Sequence, residues 1–409
     1  MSLTRGVVLT FMIAASAVPA HADKVEPKIN LASFGAGAIV IAQPVAYNDS
    51  WSGFWLLDED PTTGYAPPEA DLAPKAFVIE LADSDSISEV SFDSSHAENG
   101  GRSAKGVSVE ISDKPDGGWQ PLISVTLAES ADNQHFPVKA PKTGRYLRLT
   151  LATNHGDPKY NELFGFGAFG KVVTKLPVGD FSGAYETQFG TFRIKASGIT
   201  AIGCYEHHNG LITNAGFDGR VLRFTWSETG EQSGSGPAIL VFPANGKTFL
   251  GLWWNGADPQ LAGRWDGVRQ STKVGVCPHF KFAAAKPGGE VAESLRKGGR
   301  ARIYGITFDT DSDHIKAESK PTLDDLLAAT KAEPTWKLAI EGHTDSSGAA
   351  DHNQVLSEKR AAAVKAYLVK AGVKADRLTT SGLGATKPVS SNETTLGRSQ
   401  NRRVEIVKS

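Results

Sequence analysis

Gly342-His343-Thr344-Asp345-Ser346-Ser347-Gly348, followed by Asn353-Gln354-Val355-Leu356-Ser357-Glu358-Lys359-Arg360-Ala361, is the stretch on which the reading of this 409-residue chain turns. The run from Trp336 to Glu341 before it reads as a strand, and a Gly-rich turn then leads into a helix from Asn353 to Ala371, stopped by Gly372. Leu356, Val364, Tyr367 and Leu368 mark the apolar face of that helix by their three- and four-residue spacing. Arg360 stands four residues from both Leu356 and Val364, on the same stripe. A guanidinium there must pair or snorkel, because an unpaired buried charge is costly. Its nearest plausible partner is Asp345 in the turn. A carboxylate beside an Arg fork is a receptor for a zwitterion, one group for an ammonium and one for a carboxylate. The same two residues can equally form a plain salt bridge that locks turn to helix.

Working outward, Ile303-Tyr304-Gly305-Ile306-Thr307-Phe308 reads as a strand ending at Asp309. Pro321 opens a helix where its missing N–H costs nothing, and Leu323, Leu326 and Leu327 give that helix an apolar stripe. Leu378 to Ser381 and Arg403 to Val407 are later strands. Residues 301–409 are therefore expected to form a compact α/β sandwich. Residues 283–300 are small, polar and Gly-rich, a composition expected of a linker.

The quoted motifs, with Thr307-Phe308-Asp309-Thr310-Asp311 and Gly397-Arg398-Ser399-Gln400-Asn401-Arg402-Arg403-Val404-Glu405, resemble the OmpA-like C-terminal peptidoglycan-binding domain over about 303–408. The resemblance implies that Asp345 and Arg360 grip meso-diaminopimelate in the stem peptide of the wall. It implies further that Asp311, Asn353 and Arg402 lie around the pocket. It calls for peptidoglycan as partner; no cofactor and no metal are expected. The usual membrane barrel of such proteins is not evident, since no run of ~10-residue amphipathic strands with aromatic girdles occurs.

Residues 23–175 read as an all-β domain. Ala76 to Leu81, Val107 to Ile111 and Tyr146 to Leu151 are short strand-like runs, separated by turn clusters such as Lys114-Pro115-Asp116-Gly117-Gly118. Their order, with Gly118-Trp119-Gln120-Pro121-Leu122 and a closing Tyr160 to Gly167, resembles the galactose-binding-like, discoidin-type jelly roll. Many such domains bind sugars through loops at one end. The candidate loops are Trp51 to Tyr65 and Asn154 to Tyr160. In the first, Trp51 and Trp55 are candidates to stack on a sugar ring, and Asp58, Glu59 and Asp60 to take hydroxyls. The alternative is that the Trp residues cap the core and the acids are solvated.

Residues 176–282 read as a meander of about eight strands with Asn-Gly and Asp-Gly turns, enough for a small antiparallel barrel. Trp226, Trp253, Trp254 and Trp265 fit strand positions facing a core, or else a pocket. The chain as a whole is expected to be multidomain: a jelly-roll sandwich, a barrel-like meander, a linker and an α/β sandwich.

Residues 1–22 have the form of a signal peptide: Arg5, an apolar run, then Ala20-His21-Ala22. Export to the periplasm favours a disulfide between Cys204 and Cys277, worth roughly 4 kcal/mol in the chain-entropy estimate. Zinc is the alternative, since His207, His208 and His279 lie near these cysteines, but the spacing is not that of a standard finger. The net charge of −2, with acids concentrated in the front half, argues against nucleic acid. No transmembrane segment of ~18–20 apolar residues is evident. The expected function is that of a wall-anchored periplasmic adaptor whose β domains hold a glycan or an envelope protein. It is not expected to be an enzyme. The alternative is a peptidoglycan-tethered hydrolase using carboxylates among Asp58, Glu59 and Asp60.

Overall fold

The computed structural model describes residues 30–408 except 178, 198–199, 231–232, 257–261, 281–288, 309–310, 317–318 and 393–394. The expected signal peptide and its cleavage site lie outside the described residues.

The first domain contains β1 (Ile39–Ala42), β2 (Lys75–Asp93), β3 (Ala104–Ser112), β4 (Gln120–Thr126), β5 (Gln134–Asn154) and β6 (Gly165–Thr174). The order is β1-β2-β5-β3-β4, with β6 also on β2. The three expected strands lie within β2, β3 and β5, at the start of the first and toward the end of the other two. Phe77, Ile79 and Leu81, Val107, Val109 and Ile111, and Leu147, Leu149 and Leu151 point inward with a period of two and are buried. β2 and β5 run for 19 and 21 residues because each passes through register shifts, as between Glu80 and Asp85, that bend it from one part of the sandwich to the next.

The second domain is a closed antiparallel barrel. Its strands are β7 (Gly183–Thr187), β8 (Gly190–Ser197), β9 (Thr200–Tyr205), β10 (Gly210–Asp218), β11 (Val221–Glu228), β12 (Gly234–Val241), β13 (Thr248–Trp254), β14 (Ala262–Arg264) and β15 (Gly267–Ser271). β7 to β13 and β15 close the ring through the β12–β13, β13–β15 and β15–β7 pairings, and β14 adds to β13. Asp218 faces Val221 across a tight hairpin in which Gly219 takes φ 59°, a left-handed value that favours glycine. The bore is filled. Trp265 is buried against the rings of Phe189, Phe192, Tyr205 and Phe224 at 4.9–5.6 Å, and Trp226 and Trp254 are buried too. Those three tryptophans are core.

The two β domains share their packing. The apolar core of the first continues into Val221, Ile239, Val241, Leu252 and Trp254 of the barrel. Arg220, buried at the seam, donates to Glu80 Oε1 at 2.7 Å and to the carbonyls of Gly37, Glu80 and Leu81 at 2.8–2.9 Å.

The third domain has α1 (Gly289–Gly298), β16 (Arg300–Ile303), α2 (Lys320–Ala332), β17 (Leu338–Gly342), α3 (Ala350–Lys370), β18 (Leu378–Gly382), α4 (Thr395–Asn401) and β19 (Val404–Lys408). The sheet order is β16-β19-β17-β18, with β17 and β18 parallel and joined through α3. The expected linker is corrected in its second half. Val291, Ala292 and Leu295 of α1 are buried in the core of this domain, and Arg296 pairs with Glu333 at 2.7 Å. Three apolar residues between Gly pairs are too few to show a period, yet enough to bury one side of a ten-residue helix. The expected strand from Ile303 to Phe308 is also shifted: β16 ends at Ile303, where pairing with β19 ends. No helix among the described residues is long and apolar enough to cross a membrane.

Candidate functional site

The site is built where β17 ends and α3 begins. A Cβ at Gly342 would lie 2.1 Å from the Ser357 carbonyl oxygen, and one at Gly382 would lie 2.5 Å from the Glu358 nitrogen. The helix therefore rests directly on two glycine backbones. This explains a departure from the expected apolar face. The buried positions of α3 are Asn353, Ser357, Ala361, Val364 and Leu368, small or polar at the end nearest the turn, while Leu356 and Tyr367 sit at the margin. Beyond β17, His343 N–H donates to the Arg403 carbonyl at 3.0 Å and Thr344 N–H to that of Gly384 at 2.9 Å. The turn is thereby fixed.

Asp345 follows, with only 7% of its surface exposed. Its Oδ1 accepts from Ser347 N–H at 2.8 Å and its Oδ2 from Arg402 at 2.5 Å. Burial pushes its carboxyl upward, but the bonds from Arg402 and Ser347 outweigh it and hold the group below the usual carboxylate value. The expected direct pairing of Asp345 with Arg360 is corrected: the partner is Arg402, brought in on the C-terminal side of α4. Arg360 is half-buried. Its Nε donates to the Ser312 carbonyl at 2.9 Å, and its guanidinium lies 4.9 Å from the centre of the Phe308 ring. Burial and the nearby charge of Arg402 lower its pKa, opposed by Asp311, Asp345 and Asp313.

Asp311 is exposed, takes φ 52° and contacts His352 of α3. Asn353 is buried and braces the turn, donating to the carbonyls of Asp345 at 3.2 Å and Ser347 at 2.8 Å. It supports the mouth of the site from beneath. The mouth thus gathers Asp345, Arg402, Arg360 and Asp311, charges of alternating sign. The sequence reading missed the frame behind it. Asn392 Oδ1 accepts from Ser346 N–H at 3.1 Å and from Asn401 Nδ2 at 2.9 Å, and Asn401 Oδ1 accepts from the N–H groups of Val389 and Ser390. The only signal for that frame in the sequence was Asn401 itself, inside a quoted motif.

Glu341, His343 and Glu405 also converge beside the sheet. Both carboxylates are engaged by Arg300, and Glu405 by Arg403 at 2.6 Å as well, so this group is an ion-pair network. Burial, with the charge of Arg403, lowers His343 to about 4 and keeps it neutral.

In the jelly roll, a cleft of about 680 Å³ is lined in part by Glu59, Asp60, Asp93, His96, Asp132 and Phe164. Trp51 and Trp55 do not line it. Trp51 packs on Phe164 with ring centres 5.8 Å apart, and Trp55 packs on Phe54 and donates to the Asp49 carbonyl. Asp58 is interior, bonded by Thr63 at 2.8 Å and by Asp60 N–H at 3.1 Å, and burial pushes it up to about 8. The loop needs a carboxyl at its centre to hold its own turn. Of the expected residues, Glu59 and Asp60 reach the cleft, and Asp60 also caps Thr62. The loop from Asn154 to Tyr160 is likewise knitted to itself, Asn154 donating to the carbonyls of Asp157 and Tyr160. Cys204 and Cys277 form a disulfide.

The model of the OmpA family matches residues 307–402. Over 99 residues the chain is 43% identical to outer membrane protein A of Bordetella avium, covering 24% of this chain and 51% of that protein. Over 124 residues it is 38% identical to the peptidoglycan-associated lipoprotein of Rhizobium meliloti, covering 30% of this chain and 68% of that one. A carbohydrate-binding module of a family 31 glycoside hydrolase from Clostridium perfringens is similar to 34% of the chain, covering 93% of that module at 15% identity and a TM-score of 0.30. The chain spans only about half the length of the Bordetella protein, but more than two thirds of the Rhizobium one. Through its C-terminal domain, the chain belongs to the OmpA family.

Proposed function

We propose that the chain is a periplasmic binding protein whose C-terminal domain holds peptidoglycan non-covalently, taking the zwitterionic end of diaminopimelate in the stem peptide. The observation that carries this reading is the mouth itself: a half-buried Arg360 and an exposed Arg402 beside the buried carboxylate of Asp345. A ligand ammonium takes a place on Asp345, with Asp311 at the rim. The ligand carboxylate takes Arg360, and Arg402 is positioned to follow it. The names of the Bordetella and Rhizobium relatives, an outer membrane protein and a peptidoglycan-associated lipoprotein, agree with this role and with the cell envelope as the place of action.

The jelly roll offers a second ligand site in the acidic cleft beside Phe164, suited to a glycan or to an envelope partner. A hydrolase reading finds less support. Glycoside hydrolysis needs two carboxyls facing one substrate; Asp58 is turned inward on Thr63, and Glu59 and Asp60, adjacent in the cleft lining, are bonded by Asn30 and Thr62. The test of the wall-binding reading is co-sedimentation of the full chain with purified sacculi. Asp345→Ala is expected to leave the protein in the supernatant, and Lys359→Ala, on the exposed side of α3, to leave sedimentation unchanged. Equal sedimentation of both variants would refute the site.

A further inference from the structure

With the cysteines joined to each other, the histidines beside them are left with a different partner. Cys204 lies near the end of β9, and the connection to β10 carries His207, His208 and Asn209. Glu228 ends β11 at the same rim of the barrel, since Ser227 faces Leu211 across the β10–β11 ladder. His207 Nδ1 lies 3.1 Å from Glu228 Oε1, and His208 Nδ1 lies 3.4 Å from Glu228 Oε2. The two imidazole rings are 3.9 Å apart, centre to centre.

We propose that His207, His208 and Glu228 form a binding site for one divalent transition-metal ion of the zinc class. Two imidazoles and a carboxylate are ligand types that such ions take, and three protein ligands with an open fourth position are a known arrangement for zinc. A tetrahedron with bonds of ~2.0–2.1 Å has edges of about 3.3 Å. The two nitrogen-to-oxygen separations, each to a different oxygen of Glu228, are close to that length, and potential ligand atoms of all three residues lie within 4.8 Å of one another, so a small rotation of the carboxylate would bring one oxygen within reach of both imidazoles.

Three further observations separate this group from a casual cluster. First, His208 Nδ1 is shielded from solvent and makes no hydrogen bond among the described residues, although it faces the carboxylate. A shielded nitrogen without a hydrogen bond is one that a metal would satisfy. Second, His208 and its neighbour Asn209 both take left-handed backbone angles, φ 44° and 52°, which turn the histidine pair toward Glu228. Consecutive non-glycine residues in that region persist where surrounding structure holds them. Here the disulfide at Cys204 fastens one side, and Thr229 N–H, bonded to the His208 carbonyl at 3.0 Å, the other. Third, the carboxylate is oriented from behind, because the buried Tyr205 hydroxyl donates to Glu228 Oε1 at 3.0 Å. Outer partners of this kind fix the ligand's direction. The adjacent Glu206 is directed elsewhere, toward Arg193 at 3.4 Å. The histidine side chains are 45% and 36% exposed, leaving the solvent side of the site open for water or an external donor.

The experiment is calorimetric titration of the full chain, without a histidine tag and after treatment with EDTA, using zinc chloride. One equivalent is expected to bind, and cobalt(II) at the same site to give the visible absorption of tetrahedral coordination. His207→Ala and His208→Ala should each weaken zinc binding at least about tenfold, and Tyr205→Phe, which removes only the outer hydroxyl, by about tenfold. Glu228→Gln carries the same test should a histidine variant fail to fold, since it preserves shape and an acceptor for Tyr205. Absence of stoichiometric binding to the folded chain would overturn the proposal, as would unchanged affinity in folded His208→Ala or Glu228→Gln.

Discussion

Arg402 donates to Asp345 Oδ2 at 2.5 Å across a sequence separation of 57 residues, and joins the turn after β17 to the end of α4. Arg402 remains largely solvent-facing, with 46% of its side chain exposed, whereas the Asp345 side chain is 10% exposed. The pair is therefore a buried acid held by a solvent-exposed guanidinium. Replacing Arg402 with Gln should raise the Asp345 pKa, because the charge and hydrogen bond that oppose burial are gone. An NMR titration of the Asp345 carboxyl reads this directly. Since the folded-state pKa of Asp345 is depressed, its contribution to stability is present above the unfolded value near 3.8 and fades as pH falls through the lower folded one. That acid-side dependence should shrink in Arg402→Gln.

The glycine contacts beneath α3 make a steric prediction. Gly342→Ala places a methyl 2.1 Å from the Ser357 carbonyl, which belongs to a helix backbone and cannot swing aside. Overpacking of this kind costs about 1–3 kcal/mol or more. The variant should melt lower and also bind sacculi poorly, because α3 carries Arg360. Gly348→Ala tests a different term. Nothing stands near the position of its Cβ, and only its φ of 87° opposes a side chain, so its effect should be smaller.

These contacts also mark how far the sequence can be read. The α/β order of the tail and the placing of Asp345 and Arg360 at one turn follow from local patterns: a strand, a glycine-rich turn and a helix. The partner of Asp345 does not follow, because Arg402 reaches it only after β19 has been laid between β16 and β17. The inner face of α3 was misplaced for a related reason. Leu356 looked more apolar than Asn353 or Ser357, but close approach to Gly342 and Gly382 selects small residues over large ones. In the barrel, turn residues announced the strands. The inward turn of Asp58 left no such mark, since a buried and a solvated carboxylate look alike in sequence.

The seam between the β domains predicts an uneven response to charge removal. Glu80 is buried and is met by Arg220 at 2.7 Å and Arg145 at 2.6 Å. Arg220→Ala removes one of the two guanidinium donors of the buried Glu80 carboxylate and the Arg220 bonds to three carbonyls, leaving Arg145 on Glu80, a loss of about 1.5–3 kcal/mol. Arg148→Ala breaks a more exposed pair with Glu110, where at most about 1 kcal/mol is expected. Thermal melts followed by tryptophan fluorescence should show a large drop for the first and little for the second.

Asp58 gives a prediction of opposite sign to that of Asp345. Burial raises its pKa from 3.8 to about 8, so its protonated form suits the fold. The stability it confers is full below about pH 4 and is lost as pH rises toward 8. Asp85 and Glu162, each raised to about 7 chiefly by burial, act in the same direction. Asp58→Asn cannot ionise, and should reduce the fall in melting temperature of the jelly roll between pH 5 and pH 8 without abolishing it. An unchanged slope would mean that Asp58 is already ionised, with its charge relieved by solvent.

The last prediction concerns which walls the site accepts. The end of a diaminopimelate side chain carries an ammonium and a carboxylate, whereas a lysine side chain in the same stem position carries the ammonium alone. Both can meet Asp345, but only the first gives Arg360 an anion. Arg360 lies against Phe308 with its Nε donating to the Ser312 carbonyl, which holds the guanidinium at the mouth where a ligand carboxylate would meet it. Loss of one partner from a desolvated charge pair costs about 2–5 kcal/mol, and the lower figure already corresponds to roughly thirty-fold in affinity. Sacculi with lysine-type stems should therefore bind at least that much more weakly than diaminopimelate-type sacculi. Arg360→Ala should erase the difference between the two, because the residue that distinguishes them is gone. Arg360→Lys restores a charge without the planar fork and should recover only part of the preference. If the unaltered chain bound both wall types equally, the zwitterion mechanism would be wrong, even for a protein that still held the wall.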